Sequence, residues 1–89
     1  YYIRSNRESG DGRFDLQLEP KEKSLPGIVM EFKAVPASEK KALSDMAEDA
    51  VAQIGRQNYT RELEARGVKE IVKYGIAFSG KAVEVRTVG

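Results

Sequence analysis

Residues 13–33 read RFDLQLEPKEKSLPGIVMEFK, and the alternation inside them decides the fold. Apolar and polar residues take turns on either side of a short loop, the period-2 pattern of a hairpin with one buried face. One face carries Phe14, Leu16, Leu18, Ile28, Met30 and Phe32; the other carries Arg13, Asp15, Gln17, Val29, Glu31 and Lys33. Centring the loop Pro20–Pro26 on Lys23 sets Asp15 opposite Glu31 and Arg13 opposite Lys33. Both pairs are like-charged, and like charges directly opposed destabilise a sheet. A one-residue slip would turn Asp15 onto the core side, and the alternation of both strands argues against it. The expected result is an apolar core face backed by a charged face open to solvent. The charged face has a second use. Two neighbouring carboxylates, with Lys33 two residues along the strand, can hold a divalent cation and polarise what it binds. Chemistry alone leaves both uses open.

Outward from this hairpin the chain reads as a small sheet with helical cover. Upstream, Tyr1–Ser5 is a short strand and Asn6–Gly12 a turn cluster, in which Ser5, Asn6 and Arg7 could also line a nucleic-acid groove. Downstream, Gly27–Ala34 is a strand. Pro36–Ser38 then opens a helix, with Ser38 as N-cap and Glu39 in its first turn. That helix runs to about Gly55, and Ala42, Leu43, Met46, Ala50 and Ile54 recur on one face of it at helical spacing. Its opposite side, including Asp45, Glu48 and Asp49, is a mixed-sign solvated surface. A second, short helix covers Tyr59–Ala65, with Gly67 as its C′ residue. Lys69–Phe78 and Lys81–Val88 close the chain as a hairpin around Ser79–Gly80, pairing Ile76 with Val83 and Tyr74 with Val85.

The fold class is therefore α/β (α+β), a mixed β-sheet with one main helix in the order β-β-β-α-(α)-β-β. One long helix leaves the other sheet face short of cover. That points to an element missing ahead of Tyr1, and the chain reads as a piece of a longer protein.

Composition narrows the chemistry. The chain has 89 residues, enough for a single domain, 1–89. A net charge of +1 offers no global attraction for nucleic acid, so a phosphate-binding surface has to be local. With no cysteine there is no disulfide framework and no thiolate zinc site. With no histidine the commonest general base and Ser-His-Asp catalysis are excluded. Any metal must be a hard cation on oxygen ligands: Mg²⁺, Mn²⁺ or Ca²⁺. No apolar run approaches the ~20 residues of a membrane span and no signal peptide opens the chain, so a cytoplasmic location is expected.

The motifs GRFD (Gly12–Asp15), EFK (Glu31–Lys33) and AVAQIGRQNY (Ala50–Tyr59) together resemble the PD-(D/E)XK nuclease superfamily. The wording SNRESGDGRFDLQL…IVMEFK…KYGIAFSGK is more similar still to the nuclease-like domain at the C-terminal end of AAA-ATPase-like bacterial proteins. The resemblance covers nearly the whole chain. It implies a restriction-endonuclease-like sheet whose N-terminal core helix is absent from this fragment. It further implies that Asp15 and Glu31 ligate Mg²⁺ or Mn²⁺ and that Lys33 is the catalytic lysine. Gln53 would reach back from the helix, Tyr59 would lie beside it, and Arg13 could contact phosphate. The activity implied is metal-dependent hydrolysis of DNA, with the ATPase domain of the same chain as a partner and oligomers allowed. Two rival readings remain: a catalytically silent module of the same fold that binds nucleic acid or docks on that ATPase domain, and a structural oligomerisation domain. The chain departs from the family in one spacing. Related members place the last pair as Gln-x-x-x-Tyr, whereas Gln53 and Tyr59 are six apart.

Overall fold

The chain forms β1 (Tyr2–Glu8), β2 (Arg13–Glu19), β3 (Gly27–Ala34), α1 (Leu43–Arg56), α2 (Tyr59–Ala65), β4 (Ile71–Ser79) and β5 (Ala82–Val88). The computed structural model describes residues 1–8, 13–56 and 59–88, with side chains for all of these except residues 6–8, 55–56 and 59. The five strands lie in the order β1-β2-β3-β4-β5. Every pairing is antiparallel except β3–β4, which is parallel. A parallel neighbour requires a crossover, and α1 and α2 supply it. The result is the mixed α+β sheet expected from the sequence, in the restriction-endonuclease-like arrangement that the resemblance implies.

The β2–β3 register matches the reading of the alternation: Asp15 pairs with Glu31, Arg13 with Lys33 and Phe14 with Phe32. The side that the helices cover does not match it. The core consists of Val29, Ile54, Leu63 and Val68, with a second cluster of Val35, Met46, Ala47 and Ala77. Fully burying a Val, Leu or Ile side chain contributes roughly 1.5–3 kcal/mol, so these few residues seat both helices. Val29 belongs to the same face as Asp15 and Glu31. The helices therefore roof the charged face, which was expected to be solvated. Asp15 and Glu31 are each 1% exposed, Gln17 4% and Glu19 8%.

The physical reason lies in side-chain size. The roofed face presents Gly75 and Ala77 on β4, so α1 can settle directly on the backbone. A Cβ at Gly75 would stand 2.5 Å from Val51 and would also strike the carbonyl oxygen of Ala47. The apolar face is the less covered one. Phe14 and Phe32 stack there with centroids 4.5 Å apart, yet both are only half-buried, and Val83 is 58% exposed. Among the described residues no helix packs on that side.

Boundaries differ from the sequence reading at β1, at α1, at the last hairpin and at β4, which begins at Ile71 rather than Lys69. β1 continues past Ser5, because Asn6, Arg7 and Glu8 stay paired with Asp15, Phe14 and Arg13. The residues of GDG lie outside the described set. The long helix starts at Leu43 rather than beside Ser38. Pro36 and Glu39 instead close an isolated turn, with the Glu39 N–H donating to the Pro36 carbonyl at 3.0 Å. The carbonyl of Ala42 accepts from the N–H groups of Asp45 and Met46 at 3.0 and 3.1 Å, which makes Ala42 the N-cap. The last hairpin turns at Gly80–Lys81, one residue later than read, so Ile76 pairs with Val85 and Phe78 with Val83. A shift of two in the partner preserves the faces. The short helix and its stop are as read. Gly67 has φ +94°, and the Val68 N–H donates to the Leu63 carbonyl at 3.1 Å, closing the expected glycine C-cap. Among the described residues no helix is long and apolar enough to cross a membrane.

Candidate active site

β2 and β3 carry the polar side chains and α1 forms the roof. Asp15 and Glu31, direct cross-strand partners, sit on a ladder where opposed Cβ atoms lie roughly 4.5–5.5 Å apart. Carboxylates are almost never this fully buried unless something compensates them. The neighbouring pair on the same face is Arg13 and Lys33, one same-face step, or ~6.6 Å, along the strands. Gly75 pairs with Glu31 in the parallel ladder. The closest approach of helix to sheet thus falls beside the acid pair.

Beyond Arg13 and Lys33 a hollow of about 260 Å³ opens, lined by Arg13, Lys33, Asp49, Ala50 and Gln53. Asp49 and Gln53 are four apart on α1, so they present to the same side of that helix. Lys41 reaches Asp49 with its Nζ 2.6 Å from Oδ2. That hydrogen bond, together with the charge of Asp49, holds the Lys41 ammonium above its ordinary pKa. Among the described lining residues Arg13 and Lys33 are the cations and Asp49 the anion, while Lys41 meets Asp49 with Asp45 and Glu39 close to it. Asp15 and Glu31 lie one same-face step along the strands from Arg13 and Lys33.

The structure brings together Asp15, Glu31, Lys33 and Arg13 on one face, with Gln53 at the hollow that Arg13 and Lys33 line. Tyr59 is the first residue of α2, and its side chain lies outside the described residues, as does Gly12 of the GRFD motif. Asp49 is exposed, as expected of the solvated side of α1, and it also lines the hollow, which the sequence reading does not foresee. Its spacing from Gln53 was the available signal: a residue four before a site-facing helix residue shares its face. The close approach at Gly75 was also missed, although a lone glycine inside a strand pattern marks such contacts.

Among the described residues no three His, Cys, Asp or Glu converge as a metal-binding group. The acid pair alone still suits one kind of ion. Mg²⁺ commonly takes one or two carboxylates and completes its shell with water and substrate phosphate oxygens. An all-oxygen pair on adjacent strands, next to a cationic hollow that would receive a phosphate, has that chemistry.

A family model described as the PD-(D/E)XK nuclease superfamily matches residues 1–87. No curated protein and no solved structure matches the chain.

Proposed function

This chain belongs to the PD-(D/E)XK nuclease superfamily, and we propose on that premise that it is a Mg²⁺- or Mn²⁺-dependent phosphodiesterase domain acting on DNA. The observation that carries the reading is the burial of Asp15 and Glu31, direct cross-strand partners each 1% exposed. Two like charges so placed cost stability, and a divalent cation between them reverses the sign of that interaction. Asp15 and Glu31 would hold the ion, which when bound lowers the pKa of a water and polarises a phosphoryl oxygen.

The chain's own groups do the rest. Lys33 offers an ammonium where the hollow meets the acid pair, suited to neutralising charge that develops on a phosphate. Arg13 would fix the phosphate with its forked donors. Gln53, from the roof, would orient a water or the substrate, and Tyr59 would flank it. The resemblance to nuclease-like domains of AAA-ATPase-like bacterial proteins supports an ATPase domain in the same protein as its working partner.

A second reading is favoured by the less covered apolar face, with Ile3 66% and Val83 58% exposed. It is a silent module of the same fold docked onto that ATPase domain. Incubating labelled single- and double-stranded DNA with the chain and Mg²⁺ or Mn²⁺ separates the two. Hydrolysis is expected from the wild type, with a loss of about 100-fold or more in Lys33→Ala. No product with either ion on either substrate would sink the hydrolytic reading in favour of the silent one.

A further inference from the structure

At the far end of β2 from the hollow, a second charged cluster has no part in the chemistry above. Glu19 is almost fully buried, and three cations share its carboxylate. Lys23 Nζ lies 2.6 Å from Oε2, while Arg66 Nη1 and Arg4 Nη2 lie 3.5 and 3.6 Å from Oε1. The hydrogen bond from Lys23, reinforced by the charges of Lys23, Arg66 and Arg4, holds the Glu19 carboxyl below its ordinary pKa. Among the described residues the cluster is one anion against three cations.

Stability does not explain that ratio. One well-placed partner compensates a carboxylate, and further half-exposed ion pairs contribute little while repelling one another. The cation side chains are 37–49% exposed, so an incoming anion can reach them. Beside them, Lys21 Nζ lies over the ring of Tyr2, 5.4 Å from its centroid. Tyr2 is 54% exposed and pairs with Glu19 across the β1–β2 ladder. The nearby acid Glu22 is exposed and accepts a hydrogen bond from Ser24.

Cations in excess beside a half-exposed aromatic ring match how proteins hold unpaired strands: basic groups track the phosphates and bases stack on aromatics. A duplex keeps its base faces stacked and cannot use the ring. We propose that Arg4, Lys21, Lys23, Arg66 and Tyr2 form a subsite for an unpaired nucleic-acid strand that continues into the hollow at Arg13 and Lys33. For its choice of ligand this rests on the nuclease reading. Glu19 is four residues from Asp15 on the same face, ~13 Å at the usual rise. Gln17 and Asp15, which lie between Glu19 and the hollow, are buried, so a strand reaching from here to the hollow passes outside that face and spans at least about four nucleotides at the 3.4 Å spacing of one stacked strand. Glu19 acts as a positioning residue that gathers the cations.

Fluorescence anisotropy of a labelled twelve-nucleotide oligothymidylate over a salt series, in EDTA so that nothing is cleaved, tests this. The double variant Lys21→Gln/Arg66→Gln should lose about 1.4 from the slope of log affinity against log salt. Tyr2→Ala should weaken binding about 5- to 150-fold without changing the slope, and Tyr2→Phe should restore it. Lys21 and Tyr2 are exposed enough for their variants to fold, which circular dichroism verifies. Wild-type affinity in these variants, no binding by the wild type, or equal binding of anionic lipid vesicles or polyglutamate would each overturn the proposal. Cleavage that persists while binding ignores these variants sinks the subsite alone. Binding that follows them in a chain that cleaves nothing keeps the subsite and sinks the hydrolytic reading.

Discussion

Asp15 faces Glu31 directly across the β2–β3 ladder, and both lie beneath α1 at 1% exposure. When both carboxylates are ionised and no metal is bound, adjacent like charges shielded from water repel. Asp15→Asn keeps the shape and removes one charge. In EDTA it should raise the unfolding free energy by about 1 kcal/mol, at the upper end of cross-strand pair effects. Urea denaturation checks this, and a variant less stable than the wild type would show that the pair is not under repulsion.

Gly75→Ala probes the roof. A methyl group there has to displace Val51 and the backbone of α1, so a loss of about 3 kcal/mol is expected, the upper range for overpacking. The helix would shift beside Glu31, so metal affinity should fall with stability. Thermal unfolding with and without Mn²⁺ reads both.

Gly67→Ala should cost about 1 kcal/mol. Its φ of +94° is reached freely by glycine and poorly by a residue with a side chain. The loss should appear in the unfolding midpoint and leave the Mn²⁺ response of that midpoint intact, because Gly67 is not among the residues that line the hollow.

The acid limb of stability should depend on Glu19. Its folded pKa lies below the unfolded value near 4.5, so its contribution is present above about 4.5 and disappears as pH falls through the lowered folded value. Glu19→Gln should flatten that part of a stability-against-pH profile. Lys41 acts at the opposite end. Its pKa is raised above 10.5, so its contribution is present below that value and lost as pH climbs through the raised one.

Register was legible in the sequence and cover was not. Alternation over Arg13–Glu19 and Gly27–Ala34 is enough to bring Asp15 to Glu31, because any slip by one residue inverts both faces at once. The same pattern names two faces without saying which one a helix will sit on. The usual presumption in favour of the apolar face failed, because Gly75 and Ala77, each 44 residues beyond its β3 partner, make the charged face the shallower seat. Ser38 looked like an N-cap because a serine followed by glutamate and lysines before an apolar run has that signature, but the turn at Pro36–Glu39 is not continued into helix. Gln53 was legible as a site-facing residue only through resemblance, and Asp49 only through its spacing from Gln53.

The central claim is that Asp15 and Glu31 hold a divalent cation, and thermal unfolding in Mn²⁺ tests it most directly. Binding to the native state alone stabilises by mass action, by about 2.7 kcal/mol at a hundred times Kd. Millimolar Mn²⁺ is expected to raise the wild-type midpoint and to leave that of Asp15→Asn where it was. An unchanged wild type, or an equal rise in both proteins, would contradict it.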